Sequence, residues 1–153
     1  MRQIEFLLNE YGESHKNKTN IVIHAIAVPA LFFVTVGLAW SIPTPAFLEY
    51  FKVTWAHVAI IPALYYYFKL SGPIGAAMTV LTIVTFMGIK LLEAMDISVW
   101  KFSLAVFLVM WFLQFVGHHF EGEKPSFLKD VKFLLIGPAW WWAHWLKRLN
   151  ITY

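Results

Sequence analysis

The feature that most constrains this chain is a series of long apolar stretches separated by short polar breaks. The stretches cover Ile21 to Trp40, Val53 to Leu70, Ile74 to Leu91 and Val99 to about Phe120. As helices, runs of about 20 apolar residues can cross the ~30 Å hydrocarbon core of a bilayer. Only 14% of the residues are charged, against about 25% in soluble domains. We therefore predict an all-α, multi-pass membrane helical bundle with four transmembrane helices, in which residues 1–153 form a single integral-membrane domain.

Two shorter apolar segments flank these stretches. The N-terminal segment has apolar residues at the spacing of an amphipathic helix. These residues are Ile4, Leu7, Leu8 and Tyr11. The C-terminal segment, Phe133 to Leu146, is rich in tryptophan and interrupted by Gly137-Pro138. It is too short to span a bilayer, so we predict an interfacial or re-entrant segment in the aromatic belt.

The distribution of basic residues predicts the orientation. With four spans, both termini share one side of the membrane, and nine Lys and Arg residues lie on that side. They are Arg2, Lys16, Lys18, Lys69, Lys124, Lys129, Lys132, Lys147 and Arg148, against Lys52, Lys90 and Lys101 on the other side. The positive-inside rule then predicts two cytoplasmic termini, in a bacterial inner membrane or the endoplasmic reticulum. A three-span chain would instead separate the start of the first span from the end of the last by about 30 Å.

Polar residues at the end of the fourth span form a stripe. Gln114, His118 and Glu121 stand at i, i+4 and i+7, which places them within an arc of about 60° on one helix face. Polar side chains at membrane depth usually line a functional site. In the predicted topology, the start of the first span lies at the same depth and contributes His15 and His24. These two histidines converge only if the helix breaks between them, and Thr19 or Asn20 is a candidate cap for the new helix.

The converging side chains form a candidate metal site. Three imidazoles from His15, His24 and His118, with a carboxylate from Glu121, suit non-haem Fe(II), Mn or Zn. The chain has no cysteine, so thiolate ligation is excluded. Glu121 could bind the metal directly or accept a hydrogen bond from a ligating histidine. The second role is favoured, because Glu121 lies just past the apolar span.

The other histidines are weaker candidates. His57 lies near the opposite membrane face and is predicted to be structural. His119 points about 100° away from its neighbour on a helix. His144 lies on the same membrane face as the site, and the context leaves its role open.

Other function classes fit less well. The net charge of +3 is small and scattered, so nucleic acid is not an expected partner. A histidine-box diiron hydroxylase or desaturase would need more histidines than the six present. A non-enzymatic transporter or lipid-binding bundle, in which the polar stripe lines a substrate path, stays open.

Two sequence blocks are similar to the signatures of a known membrane family. The first is Tyr11-Gly12-Glu13-Ser14-His15-x-Asn17-x-x-Asn20-x-x-x-His24, followed by Pro29. The second is Gln114-x-x-Gly117-His118-x-x-Glu121-Gly122-x-x-Pro125. They resemble a family once catalogued as a domain of unknown function, whose fungal member is the Fe(II)-dependent 2-hydroxy fatty acid dioxygenase of phytosphingosine breakdown.

The resemblance implies a membrane enzyme of fatty acid α-oxidation. It would shorten a 2-hydroxy fatty acid, or its acyl derivative, by one carbon using O₂ and Fe(II), releasing CO₂ or formate. The iron-binding histidines carry over onto His15, His24 and His118. Among relatives, a carboxylate often occupies the place of His144, so His144 is kept as a fourth candidate ligand.

We also expect several polar residues to act around the metal. Gln114, Tyr11 and Asn20 are predicted to bind the substrate head group or orient the metal ligands, and Glu121 is predicted to act with them. Membrane lipid is the remaining expected partner, because the acyl chain of the substrate can stay in the bilayer.

Overall fold

The computed structural model describes residues 2–122, 124 and 132–153. Within these residues the chain forms helices and no strands. The helices are α1 (Gln3–Gly12), α2 (Lys18–Trp40), α3 (Ala46–Tyr50), α4 (Trp55–Leu70), α5 (Gly72–Ala94), α6 (Val99–Glu121) and α7 (Phe133–Arg148). The predicted all-α architecture is therefore confirmed. Most of the charged segment that follows α6, residues 123 and 125–131, lies outside the described residues.

Three of the helices are long and apolar enough to cross a membrane. These are α2, α5 and α6, each of 23 residues, or about 34 Å at 1.5 Å per residue. The remaining predicted span, Val53 to Leu70, corresponds to α4, which has only 16 residues and a length of about 24 Å. The count of four transmembrane helices is therefore not confirmed, because α4 is shorter than a typical hydrocarbon core.

The short helix α4 nevertheless connects the two ends of the bundle. Its first turn packs beside the end of α2, where the rings of Trp40 and His57 lie 5.1 Å apart. Its last turn lies at the other end, where the Tyr67 hydroxyl donates to the Leu135 carbonyl of α7 at 2.7 Å. Helix α5 then runs back along the bundle, and α6 runs in the same direction as α4. The start of α2 and the end of α6 consequently lie at the same end of the bundle.

Helices α2 and α6 form the closest antiparallel pair. Glycines make the approach possible at both ends, because a Cβ on Gly37 would collide with Ser103 and one on Gly117 with Asn20. Small residues of this kind let membrane helices approach closely. This pairing sets the first turns of α2 against the last turns of α6.

Helix α1 is amphipathic as predicted, with Ile4, Leu7, Leu8 and Tyr11 buried against α7. The break before α2 differs from the expectation by two to three residues. Asn17, rather than Thr19 or Asn20, is the N-cap, and its side chain accepts a hydrogen bond from the Thr19 amide at 2.9 Å. Helix α2 thus begins early enough to include Asn20 in its first turn.

Helix α7 also differs from the expectation. It continues without a break through Gly137 and Pro138, so the predicted interruption is absent. The Trp141 indole donates to the Ala25 carbonyl at 2.9 Å. Pro29 in α2 has no N–H to offer that carbonyl, so α7 supplies the missing donor.

Candidate metal centre

Three buried histidines meet where the start of α2 faces the end of α6. One ring nitrogen from each of His15, His24 and His118 lies within 4.8 Å of the other two. The ring centroids are 4.4 Å apart for His15 and His24, 5.1 Å for His15 and His118, and 4.9 Å for His24 and His118. All three side chains are at least nine-tenths buried. The structure therefore brings together the three histidines that the sequence blocks contain.

Backbone carbonyls orient two of these rings. Nδ1 of His15 donates to the Tyr11 carbonyl at 2.7 Å, and Nδ1 of His24 donates to the Asn20 carbonyl at 3.0 Å. Because a carbonyl only accepts, Nδ1 carries the proton in both rings and Nε2 presents a lone pair. Among the described residues, buried His15 Nε2 has no hydrogen-bond partner. Such a nitrogen is costly to bury, and it is the atom that a metal ion would satisfy.

The surroundings of His15 keep its ring neutral. Burial lowers the His15 pKa from 6.5 to about 4, with His118 adding to the effect and the bond to the Tyr11 carbonyl opposing it. The Tyr11 ring stacks on the His15 ring, with the ring centroids 4.2 Å apart and the ring planes at 13° to each other. Burial also raises the pKa of the Tyr11 hydroxyl, so this group stays protonated. A neutral imidazole is the form that binds metal.

The Glu121 carboxylate holds the connection between α1 and α2. It accepts hydrogen bonds from the backbone amides of Lys16 and Asn17 at 2.8 and 2.9 Å, and from Asn20 Nδ2 at 2.9 Å. Asn20 Nδ2 also donates to the Ser14 carbonyl at 3.1 Å. Glu121 is not one of the three clustered ligands. It therefore fixes the segment that carries His15. The sequence predicted that Glu121 accepts a hydrogen bond from a ligating histidine, but Nδ1 of His15 and Nδ1 of His24 bond to backbone carbonyls instead.

Two further predicted residues lie beside the cluster. Gln114 is buried on α6, one helical turn before His118. Asn20 is fully buried and packs on Gly117, whose missing side chain leaves the room for it. The sequence analysis did not predict that Gly117 allows this close approach, although Gly117 belongs to the second sequence block.

The remaining histidines lie apart from the cluster. His144 is exposed on α7, where its ring lies 5.9 Å from that of Trp140. It is not one of the three clustered histidines, so the ligand set proposed below does not include it. His119 is also exposed, and His57 packs between Trp40 and Phe86 at the opposite end.

An apolar cavity of about 460 Å³ adjoins the cluster. Its polar end contains Tyr11, Gln114 and the three histidines. The walls come from four helices: Val28, Leu31, Phe32, Thr35, Val36 and Ala39 of α2, Ala56, Ala59, Ile60, Ala63 and Tyr67 of α4, Phe107 and Trp111 of α6, and Phe133, Leu134, Leu135, Gly137 and Pro138 of α7. The cavity could not be predicted from the sequence, because its walls are mostly ordinary apolar residues of helices far apart in the chain.

The fold and the site together define an all-helical protein with spans of membrane length and a buried candidate metal centre at one end of an apolar cavity. The chain belongs to the family described as 2-hydroxy-palmitic acid dioxygenase Mpo1-like, whose sequence model matches residues 1–149. This match confirms the resemblance found in the two sequence blocks. No curated protein and no solved structure matches the chain.

Proposed function

We propose that this protein is a membrane-embedded, Fe(II)-dependent dioxygenase that shortens 2-hydroxy fatty acids by one carbon. The observation that carries the proposal is the three-histidine cluster at the end of an apolar cavity. The description of the family supplies the class of substrate and reaction. A polar centre joined to an apolar cavity matches a fatty acid, whose polar head reacts while its chain is buried.

The residues present fit a metal ion. Imidazole nitrogens that share one ion at about 2.1 Å lie within about 4.2 Å of each other. The three nitrogens lie within 4.8 Å, so a ring movement of less than about 1 Å brings them into range. Three imidazoles leave coordination positions open, and Fe(II) bound there would supply the binding and activation of O₂ and of the hydroxy acid.

The rest of the site orients the ligands and the substrate. The carbonyls of Tyr11 and Asn20 fix the tautomers of His15 and His24, a role that partners of metal-bound histidines usually have. Glu121 holds the segment between these histidines in place. Gln114 lines the cavity beside His24, where its amide can donate a hydrogen bond to the carboxylate of the substrate.

The stoichiometry selects between the two possible one-carbon products. One 2-hydroxy acid and one O₂ give the shortened acid, CO₂ and H₂O with all atoms balanced. In this reaction the bond between C1 and C2 breaks, the substrate loses four electrons and O₂ gains them. Release of formate would leave one oxygen atom unaccounted for. We therefore assign CO₂ as the one-carbon product, and the reaction needs no further reductant.

The proposal includes a membrane topology. Because α4 connects the two ends of the bundle, we propose that it forms a fourth, short crossing and that both termini face the cytoplasm. The cavity then lies between apolar helices at membrane depth. A fatty acid can enter it from the bilayer without exposing its chain to water.

Anaerobic purification followed by elemental analysis and oxygen uptake tests the proposal. We expect about one iron per chain and O₂ consumption with 2-hydroxypalmitate, accompanied by CO₂ and pentadecanoate. Palmitate, which lacks the hydroxyl, is the control and should give no uptake. Two irons per chain would favour the diiron hydroxylase, and a metal-free protein would favour the transporter or lipid-binding bundle.

A further inference from the structure

Three aromatic rings lie beside the far end of the cavity. The rings of Trp40, His57 and Phe86 lie 4.8 to 5.5 Å from one another, and we call them the aromatic wall. Ala39 and Ala56, which line the far end of the cavity, each directly precede a residue of this wall. All three rings line a second cavity of about 560 Å³, and no residue lines both cavities. The aromatic wall thus lines the second cavity and adjoins the far end of the first through Ala39 and Ala56.

Polar contacts hold the aromatic wall in place. The Trp40 indole donates to Glu93 at 2.8 Å, and Lys90 pairs with the same carboxylate at 2.9 Å. The Lys90 ammonium also lies 4.8 Å from the centre of the Trp40 ring. A ring that is anchored at its edge and covered on its face has little freedom to move aside for a ligand.

One side of the cavity is lined by small residues. Ala56, Ala59 and Ala63 stand at i, i+3 and i+7 and share one face of α4, which we call the alanine face. All three line the cavity. Ala56 packs in the hydrophobic cluster at the far end, whereas Ala63 packs against the cluster that contains Tyr11. The alanine face therefore runs along the cavity from the aromatic wall towards the histidines.

The length of the cavity matches a long acyl chain. Its α2 side runs from His24 to Ala39, a rise of about 22 Å for 15 residues. One leaflet of a bilayer, half of the ~30 Å core, is about 15 Å thick. At the other end, the lone pair of buried His15 Nε2 has no partner among the described residues. The cavity thus has the buried histidines at one end and the aromatic wall beside the other.

We infer that the alanine face and the aromatic wall together set the maximum length of the acyl chain that this protein accepts. The inference rests on the proposed function for the identity of the ligand, a 2-hydroxy fatty acid. The head group is held at the histidines, and the methyl end reaches towards the aromatic wall. A larger side chain on the alanine face shortens the space available, and a smaller one in the aromatic wall lengthens it.

A binding measurement tests this inference separately from turnover. Purified full-length protein is loaded with tritiated 2-hydroxypalmitate, and unlabelled 2-hydroxy acids from octanoate to tetracosanoate compete for it. Ala63→Leu and Ala59→Leu should each weaken binding of the longest acids at least about tenfold, as expected for added methylenes in an apolar pocket. Ala63→Leu should have the lower length limit, because Ala63 lies one turn nearer the histidines. Phe86→Ala should shift the limit towards longer acids.

Ala105→Leu is the matched control, because Ala105 is exposed on α6 and does not line the cavity. Its length profile should equal that of the wild type. If Ala63→Leu fails to fold, Ala63→Val replaces it with a smaller expected shift in the same direction. Unchanged profiles in the folded variants, or no binding at any length, would overturn the inference. Shifted profiles without oxygen uptake would instead overturn the dioxygenase and leave the length limit standing.

Discussion

Glu121 at the end of α6 accepts a hydrogen bond from Asn20 in the first turn of α2 at 2.9 Å. This contact joins the two sequence blocks that contain the histidines, although Asn20 and Glu121 stand 101 positions apart in the sequence. The same carboxylate holds the amides of Lys16 and Asn17. We therefore propose that Glu121 positions the ligands through the segment that carries them.

The role of Glu121 leads to a first prediction. Glu121→Gln keeps one oxygen acceptor but turns the other into a donor that faces backbone N–H groups. We expect the variant to copurify with iron and to turn over about 10 to 100 times more slowly, the usual cost of losing a partner outside the ligand sphere. Iron content and oxygen uptake measure the two effects. An iron-free variant with an unchanged circular dichroism spectrum would show that Glu121 binds the metal itself.

The histidines provide a second prediction. His15→Ala, His24→Ala and His118→Ala should each lose most of the bound iron, because each removes one of the three nitrogens that cluster among the described residues. His57→Ala and His144→Ala are the controls, since these rings lie outside the cluster. Elemental analysis of all five variants decides the matter. Loss of iron from His144→Ala comparable to that from His24→Ala would contradict the ligand set.

A third prediction concerns the packing of α2 against α6. Gly117→Ala places a methyl group against the Asn20 amide, which cannot retreat because it bonds to both Ser14 and Glu121. Overpacking of this kind costs about 1–3 kcal/mol, so the free energy of unfolding should fall by that amount. Gly72→Ala is the control, because a Cβ there meets nothing within 4 Å. Equal stability of the two variants would show that α2 and α6 adjust freely at this point.

The topology gives a fourth prediction. Reporter fusions at Met1 and Tyr153 should both report the cytoplasm, because nine of the twelve Lys and Arg residues lie on that predicted side and four crossings return the chain to it. A third fusion in the connection between α2 and α4 should report the opposite side. Opposite locations for the two termini would mean that α4 does not cross the membrane.

The residue patterns alone predicted the local features of this protein. Amphipathic spacing in α1, the apolar runs of α2, α5 and α6, and the two histidine blocks are all read within short windows, where side-chain periodicity reports the buried face. The three clustered histidines were chosen in this way. The family resemblance added the metal and the substrate class, neither of which spacing defines.

Only the tertiary structure determined the features that depend on contacts between distant segments. How the helices pack determines which groups bond to Glu121 and leaves His144 exposed. It also determines that the short helix α4 connects the two ends of the bundle. The cavity is the clearest case, because the apolar residues of four helices that line it carry no sign of the space that they leave. Periodicity shows which face of a helix is buried, whereas packing decides what that face meets.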